Sequence, residues 1–165
     1  MSVLLSIPIL SIIAILQSAV VSRMSINQGT ADLMMVVLIA YTLQRSVTTA
    51  WQWGAVAGIL ADFFSGLPFG IYTISYLSLA GMGVLIRERV WRFSFLMQLL
   101  LVLIGTGITH GAALLILFLQ GVTPPLSQVI SVVTLPSLFL NFMISLPVYL
   151  LTQDILLQLS PEEAL

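Results

Sequence analysis

The stretch ADFFSGLPFGIY, residues 61–72, decides how this chain folds. It lies inside an apolar run, residues 46–86, in which the only charged residue is Asp62. That run is too long for one membrane-crossing helix, because the apolar core of a bilayer takes about 20 helical residues. We therefore predict that the chain turns back here, with Gly66 in the left-handed conformation that ends one helix and Pro68 in the first turn of the next.

The composition of the whole chain is that of an integral membrane protein. Of its 165 residues, 59% are hydrophobic and 7% are charged, and the mean hydropathy is +1.15. This combination is typical of proteins that place most of their residues in lipid. All five basic residues are arginines, and they form no basic face for a nucleic acid, so nucleic-acid binding is excluded. The absence of cysteine excludes disulfides and thiolate metal sites.

Charged residues and turn residues divide the sequence into six apolar spans. We predict an all-α integral membrane protein with a single domain over residues 1–165 and spans at approximately residues 3–22, 30–44, 47–64, 68–86, 93–119 and 128–153. The second span is short for a full crossing, and we predict Thr30 as its N-cap with Asp32 in its first turn. Pro136 and Pro147 remove two backbone N–H groups from the sixth span and predict a kinked or interrupted helix.

The arginines predict the orientation. Six spans place both termini on one side of the membrane, and that side then carries four of the five arginines, Arg45, Arg87, Arg89 and Arg92. Cytoplasmic connections are enriched in positive charge, so we predict that the N- and C-termini are both inside.

Two polar side chains within the spans each allow more than one interpretation. The carboxylate of Asp62 can accept N–H groups of the Ser65–Gly66 turn or of the next helix's first turn, or it can contact a ligand. His110 can bond to a neighbouring helix, through Asn141 or a backbone carbonyl. No catalytic motif and no metal-ligand set accompanies these residues, so we predict a protein that is not an enzyme and needs no cofactor or metal.

Small residues recur at helical spacing on three spans, where they permit close approach of another helix backbone. One stripe contains Gly54 and Gly58. The other two form a candidate helix-docking face, with internal packing as the alternative for each of them; its residues are Ala14, Ser18, Ser22, Gly107, His110 and Gly111.

Three stretches together resemble the MreD family, the small membrane subunit of the bacterial rod-shape machinery: ADLMMVVLIAYTLQR (31–45), GAVAGILADFFSGLPFGIYTISYL (54–77) and NFMISLPVYLL (141–151). Ala31 stands where the family usually has proline, a departure that bears on how the second helix begins. The family-motif positions are Asp32, Asp62, Ser65, Gly66, Pro68, Gly70, Asn141 and Pro147.

This resemblance implies a fold similar to the six-helix substrate-binding subunits of energy-coupling-factor transporters. It also implies a multi-pass scaffold in the bacterial cytoplasmic (inner) membrane. The scaffold would bind MreC and, through it, the actin-like MreB filament, the RodA glycosyltransferase and a penicillin-binding transpeptidase, and help to direct lateral peptidoglycan synthesis.

The alternative is a substrate-binding subunit of a vitamin transporter of the energy-coupling-factor type. Such a subunit needs an outward cavity with several convergent polar groups. We count few candidates in the outer half of the spans, namely Asp62, Ser65, Tyr72 and His110. This sparse polarity favours the scaffold.

Overall fold

The computed structural model describes residues 3–45, 47–87 and 94–159. Within these ranges the chain forms six helices and no strand, which confirms the all-α class. The sixth helix, α6, has three consecutive parts: Leu126–Gln128, a π-helical segment Val129–Thr134, and Leu135–Leu159. The others are α1 Val3–Ala19, α2 Leu33–Thr42, α3 Ala50–Phe64, α4 Ile71–Arg87 and α5 Ser94–Leu119.

Two of these helices are long and apolar enough to cross a membrane, α5 over Ser94–Leu119 and α6 over Leu126–Leu156. The remaining four are shorter, and their crossing stays a prediction. Each helix overlaps one of the predicted spans. The largest difference is at α6, which begins two residues before and ends six residues after the predicted 128–153, whereas α2 is five residues shorter than predicted.

The short helix α2 forms the centre of the bundle. It packs against each of the other five helices, and eight of its ten residues are buried. A helix that is apolar on all sides is one that other elements surround. The short length of α2 is therefore consistent with a central helix that the longer helices surround.

Helices α3 and α4 pack closely because α3 presents glycine. A Cβ atom added to Gly58 would lie 2.4 Å from the Cα atom of Thr73, and one added to Gly54 would lie 2.9 Å from the Cβ of Ala80. Both distances are shorter than van der Waals contact. The stripe of Gly54 and Gly58 therefore serves internal packing.

The chain turns back between α3 and α4, but two details of our prediction are wrong. Gly66 does not have a positive φ; the left-handed conformation occurs at Gly70, with φ 104°. Pro68 precedes α4 and is not in its first turn. Side chains make the turn instead: Ser65 ends α3 with an extended backbone, and its hydroxyl accepts the N–H of Leu67.

The start of α2 also differs from the prediction. Asp32, and not Thr30, is the N-cap, and its carboxylate accepts the N–H of Met35 at 3.0 Å. Thr30 instead donates its N–H to Ser137 Oγ at 3.1 Å. Because this contact ties the chain before Asp32 to α6, the helix begins three residues later than we expected.

The irregular start of α6 follows from Pro136. Proline cannot bond to the carbonyl four residues earlier, and its ring pushes that carbonyl aside. The carbonyl concerned belongs to Val132, and it accepts the N–H of Gln28 at 3.2 Å. The π-helical segment Val129–Thr134 contains Val132, whose carbonyl bonds to Gln28 and not to Pro136 of its own helix. The break predicted at Pro136 thus takes the form of a π-helix, whereas Leu135–Leu159 continues as an α-helix through Pro147.

Candidate functional site

A polar cavity of about 160 Å³ lies at the end of the bundle where α1 and α3 end and α2 and α4 begin. Aromatic and polar side chains from five helices converge on it. Our expectation of sparse polarity is therefore wrong for this end of the bundle. The polar or aromatic side chains on its wall are Gln17, Thr30, Asp32, Phe64, Ser65, Tyr72, Tyr76, Thr109, His110 and Asn141.

Asp32 is the charged residue of this wall. Its two carboxylate oxygens accept the hydroxyl of Tyr76, each at 2.7 Å, in addition to the Met35 N–H of the cap. The Tyr76 side chain is 1% exposed, so it cannot exchange this bond for water. The pair connects the start of α2 to α4.

Asn141 connects three helices beside the cavity. Its Oδ1 accepts the N–H of Asp32 at 2.6 Å, and its Nδ2 donates to Thr106 Oγ1 at 3.0 Å. Both bonds are buried or nearly so. Asn141 therefore connects α2, α5 and α6. It is one of the family-motif positions that the resemblance indicated.

Gln17 ties α1 to the same point. Its amide nitrogen donates to the carbonyl of Ala31 at 2.7 Å, and its amide oxygen accepts the N–H of Leu33 at 2.7 Å. Both hydrogen-bonding groups of the side chain are thus used. The sequence analysis did not select Gln17, although it is the only amide in the first apolar span.

Asp62 lies behind the cavity wall and is 4% exposed. Its carboxylate accepts the N–H groups of Gly70 at 2.9 Å, Tyr72 at 2.8 Å and Thr73 at 3.1 Å. A fourth bond, at 2.6 Å, comes from the Thr73 hydroxyl. Of the interpretations that we considered, the geometry is that of a bond to the first turn of the next helix.

Two polar atoms of the cavity wall have no hydrogen-bond partner within the part of the chain that the structure describes. One is the hydroxyl of Tyr72, and the other is Nε2 of His110. The other ring nitrogen of His110, Nδ1, lies 3.1 Å from Thr134 Oγ1. The expected partners of His110, Asn141 or a backbone carbonyl, are therefore wrong, and the partner is a hydroxyl on the π-helical segment.

The candidate docking residues fall into separate places. Gly107 and Gly111 are exposed, and a Cβ added to either would have no atom of the described residues within 4 Å. Ala14 is buried in the cavity wall. Ser18 is exposed and its hydroxyl donates to the carbonyl of Ile15. The side chain of Ser22 lies outside the described residues.

The polar groups of this cavity are hydrogen-bond donors and acceptors. Among the residues that the structure describes, no group of three His, Cys, Asp or Glu side chains could hold a metal ion. The hydroxyl of Thr109 donates to carbonyls of its own helix, at Gly105 and Thr106. What the arrangement can do chemically is to accept and donate hydrogen bonds around a carboxylate in a small, half-open cavity.

A family comparison covers nearly the whole chain. The family model described as rod shape-determining protein MreD matches residues 1–159, which include all six helices. No significant match was found among curated proteins or among solved structures. The fold similarity to energy-coupling-factor subunits therefore stays an expectation.

Proposed function

The chain belongs to the MreD family of bacterial membrane proteins, which has a role in rod-shape determination, and from this premise we propose that it is a multi-pass scaffold of the cell-elongation complex. In this proposal it binds MreC in the cytoplasmic membrane and, through MreC, supports the MreB filament, the RodA glycosyltransferase and a penicillin-binding transpeptidase. The family consists of shape-determining proteins and is not a known enzyme family. Its contribution to peptidoglycan synthesis would then be made by contact.

Two features support insertion as six spans with both termini inside. Large apolar side chains face outward on several helices, for example Ile12 at 59% exposure and Leu115 at 59%; such surfaces suit lipid and not water. Arg45 follows α2, and Arg87 ends α4 and donates to the carbonyls of Gln44 and Val47. These arginines lie at the end opposite the cavity, as expected of a cytoplasmic end.

The observation that carries the docking proposal is the open face of α5 at Gly107 and Gly111. A third glycine of this helix, Gly105, is packed, since a Cβ there would lie 2.8 Å from Met35 Sδ. One side of α5 is thus packed at its glycine by other helices of the protein, and on the other side no described residue contacts the glycines. Small residues let a second helix approach closely within lipid, where packing and not water exclusion drives association.

Replacing Gly107 or Gly111 with leucine is expected to reduce the recovery of the MreC-type partner about tenfold or more, because the side chain fills the approach path. The fold should remain stable, since nothing lies near either position and leucine favours a helix over glycine by roughly 1 kcal/mol. Co-purification from detergent measures the first effect, and thermal unfolding measures the second.

Gly66→Leu is the matched control, because Gly66 also has no atom within 4 Å of an added Cβ and lies in the α3–α4 turn. It should leave partner recovery unchanged. Full recovery of the complex with both α5 variants would contradict the proposal for this face.

The polar cavity is where a second candidate function, that of a solute-binding subunit, would place its ligand. Its volume of about 160 Å³ is below the roughly 300–1,000 Å³ of sites that enclose drug-sized ligands. We therefore expect no saturable retention of vitamins by the purified protein in equilibrium binding. Nanomolar retention of a vitamin would overturn the scaffold in favour of this candidate.

A further inference from the structure

The polar cavity at the junction of α1, α2, α3 and α4 has the chemistry of a cation site. We propose that it binds a primary ammonium group, carried by a phosphatidylethanolamine headgroup or by a free short-chain amine. This inference concerns a ligand of the purified protein, so it is tested without MreC and fails or holds independently of the docking proposal.

The charge balance at this end of the bundle is negative. The N-termini of α2 and α4 each supply about half a positive charge, and the C-termini of α1 and α3 each supply about half a negative charge, so these four helix ends roughly cancel. The carboxylates at this end are those of Asp32 and Asp62. Every partner that the structure gives these carboxylates is a donor, which is the pattern of the ionised form. The two carboxylates therefore leave this end with an excess of negative charge, and no arginine lines the cavity.

An anion does not suit the same place. The N–H groups that would bind it at the two helix starts already donate to side chains of the protein. At α4 those of Tyr72 and Thr73 go to Asp62, and at α2 those of Leu33 and Met35 go to Gln17 and Asp32. A buried charge is costly unless an opposite charge compensates it, so a cation is the favoured occupant.

The free acceptors match a primary ammonium in number. An ammonium carries three N–H donors. The wall offers the Tyr72 hydroxyl and His110 Nε2, which have no partner among the described residues, and the Oδ2 atom of Asp32, which accepts only the shared Tyr76 hydroxyl. Nε2 accepts when His110 carries its proton on Nδ1 and donates it to Thr134. Three aromatic residues, Phe64, Tyr72 and Tyr76, also line the cavity.

The volume sets the size of the group. One water takes about 30 Å³ in the liquid, so a cavity of about 160 Å³ holds roughly five atoms of that size. This is enough for an ammonium and two or three carbons. A group of this size matches the end of an ethanolamine headgroup or a short-chain amine. A quaternary ammonium, in contrast, has no N–H to donate to the free acceptors.

Two paired ligands test the proposal on the purified full-length chain. Saturation-transfer NMR in detergent compares ethylammonium with tetramethylammonium. Native mass spectrometry from nanodiscs compares retention of phosphatidylethanolamine with that of phosphatidylcholine. We expect the primary ammonium to be preferred at least tenfold in one or both pairs. The pair that shows the preference tells whether the ammonium belongs to a lipid headgroup or to a free amine.

Asp32→Asn and Tyr72→Phe locate the site. Asparagine is also a good N-cap, so Asp32→Asn removes the charge and keeps the acceptor for Met35; it should weaken binding about ten- to a hundredfold. Tyr72→Phe should weaken it several-fold. The matched controls, Asp154→Asn and Tyr149→Phe, alter a carboxylate and a hydroxyl far from the cavity wall and should change nothing.

The proposal is overturned if the primary ammonium shows no preference over the quaternary one in either pair. It is also overturned if both cavity variants bind as well as their controls. Should Asp32→Asn fail to fold, Tyr72→Phe decides alone, because its hydroxyl has no described partner whose loss would affect stability.

Discussion

Asp62→Ala is expected to lower the Tm of the detergent-purified protein by about 10 °C. The substitution removes a buried carboxylate and leaves the partly buried N–H groups of Gly70, Tyr72 and Thr73 without their acceptor. A buried donor left without a partner costs about 1–3 kcal/mol, so three partly buried ones should cost about 3–5 kcal/mol together, and each kcal/mol corresponds to roughly 2–4 °C for a chain of this size. Thermal unfolding followed by circular dichroism measures the change.

Asp154→Ala is the control, because Asp154 is an exposed carboxylate near the end of α6. It should shift the Tm by about 1 °C or less. Asp62→Asn should lower the Tm less than the alanine variant, since its amide oxygen can replace Oδ2 as acceptor while its NH₂ faces only the N–H of Tyr72. Equal Tm values for Asp62→Ala and Asp154→Ala would show that the four hydrogen bonds do not hold the α3–α4 connection.

The positions of the helices were predictable from the sequence for a physical reason. In lipid a backbone satisfies its polar groups by forming a helix, so apolar stretches and the charges between them locate the elements. The return of the chain in residues 61–72 followed from length alone. The prediction was wrong where local chemistry had alternatives, as at Gly66, whose role in the turn falls to the side chain of Ser65 and to Gly70.

Which face of each helix meets its own protein was not predictable. Gly54 and Gly58 have the same spacing as Gly107 and Gly111, yet the first pair packs against α4 and the second pair contacts no other helix in the described part of the chain. The difference depends on how each helix is rotated about its axis. Composition and spacing carry no information about that rotation when nearly every other residue is apolar.

The candidate site was only partly predictable, because its contacts join residues far apart in the chain. Asp32 and Asn141 were selected through the family resemblance, but their mutual bond spans 109 positions. Gln17 and Thr109 were not selected. An amide within an otherwise apolar span must find a partner, so Gln17 was the one signal in the sequence that could have predicted a polar junction here.

Gly58→Ala is expected to destabilise the protein by about 3 kcal/mol or more. Its Cβ would lie 2.4 Å from Thr73 Cα and 3.0 Å from Thr73 N, and both are backbone atoms of α4 that cannot move independently. Overpacking of this kind costs about 1–3 kcal/mol, occasionally more, and here it also displaces the Thr73 groups that bond to Asp62. The gain of roughly 1 kcal/mol in helix propensity is too small to compensate.

For Gly107→Ala, the same glycine-to-alanine substitution at another site, we expect no loss of stability. No atom of the described residues lies within 4 Å of its added Cβ, so only the gain in helix propensity remains and the Tm should stay equal or rise slightly.

The effects of Gly58→Ala and Asp62→Ala should be less than additive in the double variant, because both act through Thr73. If Gly58→Ala unfolded at the same temperature as Gly107→Ala, the close approach of α3 to α4 would be wrong, and with it the geometry that positions Asp62 and the cavity wall.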